Sequence, residues 1–169
     1  MRDPRDVVVS YAKYKNIDYN LAIDHICSQN LLFIKELKKN NFPKVEITGS
    51  WKFNYTSWRD GISDIPKIII KYEDLHLNTF DSFKKILSFI GDLNKIDIND
   101  SKIKETIGLC KMENMSKLED LEGFHEKLKD EKKFFRKGQV DEWKSQLSID
   151  QIKLIEKAFH NEMKDLKYL

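Results

Sequence analysis

The chain has 169 residues, the size of one domain, and folding at this length hides about 70% of the unfolded surface, enough for one sizeable core. Charged residues make up 34% of it and its mean hydropathy is −0.58, while the longest aliphatic runs are Val7–Val9 and Ile68–Ile70, which excludes a membrane-spanning helix. Thirty Lys+Arg against 28 Asp+Glu leave a formal charge of +2, without the basic field that non-specific nucleic-acid binding needs. The opening Met1-Arg2-Asp3-Pro4-Arg5-Asp6 lacks the apolar stretch of a secretory leader, so a cytoplasmic protein is expected. Two cysteines, Cys27 and Cys110, do not make a disulfide scaffold, and the four histidines are not at metal-ligand spacing, so no metal site is expected.

The first predicted element is a helix with Asp3 at the N-cap, Pro4 at the first helical position and Asp6 in the first turn, followed by Val7, Val8, Tyr11 and Ala12 at helical spacing. A second helical region is predicted from about Tyr19 to Lys39. A third starts near Ser50, with Trp51, Tyr55 and Trp58 three to four residues apart; Trp51 and Trp58 are expected in the core. Pro66–Tyr72 is a β-branched run bounded by punctuation and reads as a strand buried on both faces of a parallel sheet, with further weak strand candidates such as Val45–Thr48. Phe83, Ile86, Leu87 and Ile90 form a helical stripe expected to stop at Gly91, and a shorter helix spans Ser101–Cys110. Met115–Lys133 is mostly charged and reads as a mobile surface segment. Ser148 and Gln151 form a capping box that opens a last helix carrying Ile152, Ile155, Phe159 and Met163. With no repeat and no Gly/Ser/Pro-rich linker, residues 1–169 are expected to form a single domain.

Three segments have the chemistry of an anion or nucleotide site. The first helix start offers exposed N–H groups and a positive dipole end, flanked by Arg2 and Arg5, with the Ser10 hydroxyl two turns in. A capped helix with solvated arginines gives the same pattern. Phe134-Phe135-Arg136-Lys137-Gly138 places two cations beside a glycine, which lets backbone and side chains approach one phosphate; a basic turn would look alike. Tyr72-Glu73-Asp74-Leu75 leaves the C-terminal end of the predicted strand, where open α/β sheets place their ligands and where an aromatic ring can face a base or simply finish the core.

Taken together and in this order, these segments resemble a known family. Arg2-Asp3-Pro4-Arg5-Asp6-Val7-Val8-Val9-Ser10-Tyr11 resembles the 3′-phosphate motif of sulfotransferases that use 3′-phosphoadenosine 5′-phosphosulfate (PAPS). Phe134-Phe135-Arg136-Lys137-Gly138 with Trp143-Lys144 resembles their second signature. Gly49-Ser50-Trp51 and Tyr72-Glu73-Asp74-Leu75 are similar to the family's Gly-Ser-Trp helix start and Tyr-Glu-Asp strand end, so the resemblance to soluble, cytosolic-type sulfotransferases covers nearly the whole chain.

The resemblance implies an α/β fold, an incomplete P-loop-like three-layer parallel sheet with flanking helices, rich in helix over this portion. It implies that Arg2 and Ser10 bind the 3′-phosphate, that Arg136, Lys137 and Gly138 form a second clamp, and that Tyr72 lies beside the adenine. Cys110 and Met112 fall where the family has a Thr-Ser-Phe-type adenine contact, with a thiol for a hydroxyl and a thioether for a ring. After Gly138, Asp141-Glu142-Trp143-Lys144 stands where the family has Gly-Asp-Trp-Lys. The family's dimer-forming segment keeps Lys144, Ser148 and Ile149 but has Lys153 for its glutamate, which leaves the oligomeric state open.

The family's N-terminal strand, its loop around the 5′-phosphosulfate and its histidine base all precede the residue equivalent to Arg2. The chain is therefore expected to be the C-terminal part of such a domain, N-terminally truncated, with no catalytic residue to name and little activity alone. What the resemblance implies is sulfuryl transfer from PAPS to a hydroxyl or amine of a small-molecule, sugar or lipid acceptor, without metal, leaving 3′-phosphoadenosine 5′-phosphate (PAP). A non-catalytic module that binds the nucleotide or a partner, and a remnant fragment, stand as the alternatives.

Overall fold

The structure, a computed structural model, describes residues 1–29, 48–61, 64–94, 98–124 and 138–169, at residue 93 by backbone alone, together with the backbone of 32–36 and 43–47. The described chain divides into two compact units, one formed by Met1–Arg2 with Lys67–Asp141, the other by Asp3–Pro66 with Glu142–Leu169.

The larger unit is built on capped amphipathic helices. Helix α1 spans Pro4–Lys15; Asp3 caps it by accepting the Arg5 N–H at 2.9 Å, and Pro4 sits where a missing N–H costs nothing. The helix closes on Asn16 in the left-handed conformation (φ 52°), with the Ile17 N–H returning to the Ala12 carbonyl. Asp18 caps α2 (Tyr19–Cys27), which ends twelve residues short of the predicted Lys39. In its place the chain forms β1 (Leu32–Glu36) and β2 (Pro43–Ile47), an antiparallel pair in the register Leu32↔Ile47 to Glu36↔Pro43. The run Leu32-Phe33-Ile34 is compatible with either period, and the hairpin pairing decides it. The weak strand candidate at Val45–Thr48 thus coincides with β2.

Ser50 caps α3 (Trp51–Asp60) through the Phe53 N–H at 3.0 Å. Its core face carries Trp51 and Tyr55, whereas Trp58 is 67% exposed, a correction to its expected burial. Positions 51 and 58 are only about 20° apart around a straight helix, so what packs along α3, rather than the helix phase, separates them. In the same unit α8 (Trp143–Gln146) leads into α9 (Ile149–Ala158), whose Ser148/Gln151 capping box has both of its hydrogen bonds. The predicted last helix is divided at Phe159, after which α10 runs over His160–Asp165. Val8, Val9 and Ala12 of α1, Ala22, Ile23 and Ile26 of α2, Ile155 of α9 and Met163 of α10 bury one shared core, with the Trp51 and Phe159 rings 5.1 Å apart. Burying each of the Val, Ile and Met side chains contributes about 1.5–3 kcal/mol before entropy is counted.

In the smaller unit residues 67–71 are neither helix nor strand; Lys71 is extended, and Ile68–Ile70 are half-buried. The Met1 amine donates to the Ile70 carbonyl at 2.6 Å and the Tyr72 N–H donates to the Met1 carbonyl at 2.7 Å. One residue bonded to the neighbours on either side of its opposite number is the parallel pattern. Among the described residues the segment has only this single bridge and forms no strand ladder, so the predicted doubly buried strand is not seen as such. Tyr72, expected as its last residue, instead opens the helix α4 (Tyr72–Leu77).

Helix α5 (Thr79–Asn94) runs through Gly91 rather than stopping there, since one helical glycine costs only about 1 kcal/mol against alanine. Helix α6 (Asp100–Leu109) is capped by Asn99, close to the predicted bounds, and α7 (Met112–Glu122) makes helix of much of the segment expected to be mobile. The Asn114 side-chain amide donates to the Gly108 and Leu109 carbonyls at 3.1 and 3.2 Å, satisfying orphan groups at the end of α6. Helix α5 packs on α4 and α6.

Candidate functional site

Four of the residues singled out in the sequence meet in the smaller unit. The Arg2 guanidinium carbon lies 4.5 Å from the centre of the Tyr72 ring, and Arg2 Nη2 donates to the Gln139 carbonyl at 2.9 Å. The next residue back, Gly138, has φ +56°, and a Cβ built on it would come within 2.5 Å of the Met112 methyl and 3.4 Å of the Tyr72 hydroxyl. Only glycine takes both that backbone and that closeness without displacing the thioether. Positions 2, 72, 112 and 138 therefore form one cluster, although the gaps between successive positions run from 26 to 70 residues.

Each partner is placed by a local cause. Tyr72 is at the first turn of α4, held by its N–H bond to Met1, and its ring stacks with that of His76 one turn on, 6.4 Å between centres. Met112 opens α7, whose first turn is fixed to the end of α6 by Asn114. The cluster offers a cation, an aromatic face, a polarizable thioether and a backbone without a side chain. Such a surface suits a ligand that is planar at one end and anionic at the other.

Cys110 is exposed, at the C-terminal end of α6, two residues before Met112. Ser10 is exposed on α1 in the larger unit. Arg136 and Lys137 lie outside the described residues, as do Phe134 and Phe135.

Arg5, read in the sequence as a second flanking cation, is occupied within the protein. It is 7% exposed, and its guanidinium bonds the Asp3 carboxylate at 2.6 and 3.0 Å, Glu156 at 2.6 Å and the Tyr168 carbonyl at 2.9 Å. Burial opposes its charge, but the carboxylates of Asp3 and Glu156 outweigh this and raise its pKa above the ordinary arginine range. It therefore belongs to the fold rather than to a ligand. Gln139 and His76 were not legible as site residues: Gln139 acts through its main-chain carbonyl, which carries no side-chain signal. Among the described residues no group of three or more His, Cys, Asp or Glu is placed to hold a metal ion, and no helix is long and apolar enough to cross a membrane.

An arginine, an aromatic ring and a positive-φ glycine gathered at one place are groups that an anionic ligand can use. The sulfotransferase domain family matches residues 1–167, and the chain belongs to that family. It is 24% identical to an amine sulfotransferase of Oryctolagus cuniculus over 99% of its own length and 55% of the relative's. To cytosolic sulfotransferase 5 of Arabidopsis thaliana it is 31% identical, over 58% of this chain and 31% of the other. Among solved structures it is similar in fold to mouse sulfotransferase SULT7A1 complexed with PAP, with a TM-score of 0.69, 22% identity and coverage of 96% of this chain and 56% of that one. This likeness shows the α/β sulfotransferase fold expected from the sequence. The chain spans about half the length of the curated relatives that it matches over nearly its whole length.

Proposed function

We propose that this chain supplies the nucleotide-holding part of a PAPS-dependent sulfotransferase and that residues 1–169 fold as one domain of that type. The observation that carries the reading is the cluster of Arg2, Tyr72, Met112 and Gly138 in one unit, since the resemblance assigns these same four positions to one nucleotide. The donor set fits that ligand. A guanidinium pairs with a phosphate dianion through charge-assisted hydrogen bonds, and a ring and a thioether pack on the faces of a purine. Gly138 lets the backbone come close where a Cβ would intrude. Ser10, Arg136, Lys137 and Cys110 join the site through the resemblance.

When bound, PAPS supplies the sulfuryl group: its S–O bond to the phosphate breaks, a bond from sulfur to the acceptor oxygen or nitrogen forms, and the acceptor gives up a proton, leaving PAP. The contribution of this chain to that transfer is to hold the nucleotide's 3′ end still, so that the reacting end is presented in one orientation. No residue of this chain is assigned to the proton transfer. A small molecule with a hydroxyl or amine is the proposed acceptor, and the cytoplasm the proposed compartment, in keeping with the names of relatives such as cytosolic sulfotransferase 5.

Calorimetric titration of the purified chain with PAP tests the reading. Saturable binding weakened about tenfold or more in Arg2→Ala is expected from the loss of a charge-assisted phosphate contact. A folded chain that takes up no PAP, or one whose affinity is unchanged in Arg2→Ala, would sink it. Binding that persists without turnover when acceptors are supplied would favour a nucleotide-binding module over an enzyme.

A further inference from the structure

We propose that Met112 is a modification site: a hydroperoxide oxidises its thioether to the sulfoxide, and the oxidised side chain weakens the hold on the nucleotide. The chain has four methionines. Met163 is fully buried, Met1 and Met115 are half-buried, and Met112 alone is exposed, with 38% of its surface open. Its place in the fold explains the difference. A helical side chain lies back over the turn that precedes it, and Met112, as the first residue of α7, has no such turn of its own helix to lie on. Its methyl end rests on Gly138 instead, 2.5 Å from where a Cβ would stand, and the Tyr72 hydroxyl is 3.4 Å from that same point. An accessible thioether is thus built into the cluster, within the one compact unit that holds Arg2, Tyr72 and Gly138.

The reaction is a two-electron oxygen transfer. A sulfur lone pair attacks the outer oxygen of the hydroperoxide, and the O–O bond breaks as the S–O bond forms. The proton on the transferred oxygen passes to the leaving oxygen, which departs as an alcohol or water; sulfur is oxidised and the peroxide reduced. The product is polar and an acceptor where the thioether was apolar. It stands beside the Tyr72 hydroxyl, on the surface that the nucleotide reading gives to a purine face. Its bound water must be stripped before a base packs there, which opposes binding. Cys110, two residues earlier, is exposed as well, but its sulfenic acid and disulfide forms return with a thiol reductant, whereas the sulfoxide needs a methionine sulfoxide reductase. The effect on nucleotide binding rests on the reading above; the selectivity for Met112 does not.

The test treats the purified chain with hydrogen peroxide and then with dithiothreitol, which returns the cysteines. The gain of one oxygen atom in each methionine peptide is followed by mass spectrometry, and PAP is titrated before and after. Met112 is expected to oxidise about tenfold faster than buried Met163, and saturating PAP to remove its lead over Met115. PAP affinity is expected to fall about fivefold in the oxidised chain and to return on treatment with methionine sulfoxide reductases of both stereospecificities. In Met112→Leu, shown to be folded by circular dichroism, peroxide is expected to leave the affinity at that variant's own untreated value. If Met112→Leu does not fold, the enzymatic reversal on the native chain carries the comparison.

Oxidation of Met1, Met115 or Met163 ahead of Met112 would overturn the proposal. So would a sulfoxide at position 112 with unchanged PAP affinity, or an equal loss of affinity in treated Met112→Leu. If the untreated chain binds no PAP, the nucleotide reading falls, and the order of oxidation among the four methionines still decides whether Met112 is the modified site.

Discussion

The two compact units differ in what they bury. In the larger one, side chains from five helices close on Val8, Ile23, Trp51, Ile155 and Met163, and a buried arginine is matched by two carboxylates. In the smaller one, Ile103 alone among the described apolar residues is fully buried, while Leu77, Leu109 and Leu121 are each more than 60% exposed. The smaller unit nevertheless holds the cluster of Arg2, Tyr72, Met112 and Gly138. A pair of arginines three residues apart shows the same division: Arg5 is enclosed by the fold, while Arg2 lies over an aromatic ring at a half-open surface. Side chains that a core has consumed are rigid supports, and those it leaves partly open are the ones a ligand can use.

The largest effect expected from this contrast is at α3. Trp51→Ala should cost about 3–5 kcal/mol, and Trp58→Ala no more than about 0.5 kcal/mol, by urea denaturation. Similar losses at both positions would break the assignment of α3's buried face. Ile103→Ala comes next, at about 2–4 kcal/mol, and its cost should appear as faster amide exchange in α5 and α6 with α1 to α3 unchanged. Faster exchange throughout would show that the two units unfold together.

Removing the cap of α9 with Ser148→Ala should cost about 1 kcal/mol, read as a shift in the urea midpoint. Asp141 has φ +62°, and a smaller difference of about 1 kcal/mol or less is expected between Asp141→Gly and Asp141→Ala, with glycine the more stable. Both remove the carboxylate, so the difference reports the left-handed backbone alone.

A pH dependence sharpens the account of the larger unit's surface. Hydrogen bonds from Tyr55 and then Arg59 hold the Asp165 carboxyl below the usual carboxylate range. A depressed folded pKa adds stability that is present above the unfolded value and is lost as pH falls through the folded one. The urea midpoint should therefore drop on acidification below the ordinary carboxylate range, and Asp165→Asn should flatten part of that drop. An identical acid profile in the variant would remove Asp165 from the account.

Much of the local structure was legible in the sequence. Asp3, Pro4, Ser50 and the Ser148/Gln151 pair mark helix starts whose chemistry lies within three residues, so no distant partner was needed to read them. The errors fell where distant contacts decide. Leu32–Glu36 reads as helix until β2 pairs with it, Gly91 reads as a stop until the rest of α5 outweighs it, and Tyr72 reads as a strand end although it begins α4. Trp51 and Trp58 carry the same side chain on one helix, and only the packing of α3 separates them.

The candidate site divides in the same way. The sequence by itself determined the residue types at 2, 72, 112 and 138, the caps and the family resemblance, because motifs and capping are short-range patterns. The tertiary structure alone decided that those four positions meet, that Arg5 is a support rather than a ligand contact, and that Asp141 takes a glycine-like turn. Each of these depends on which groups residues far apart in the chain bring within a few ångströms, and burial and hydrogen bonding at that range are set only by the folded chain.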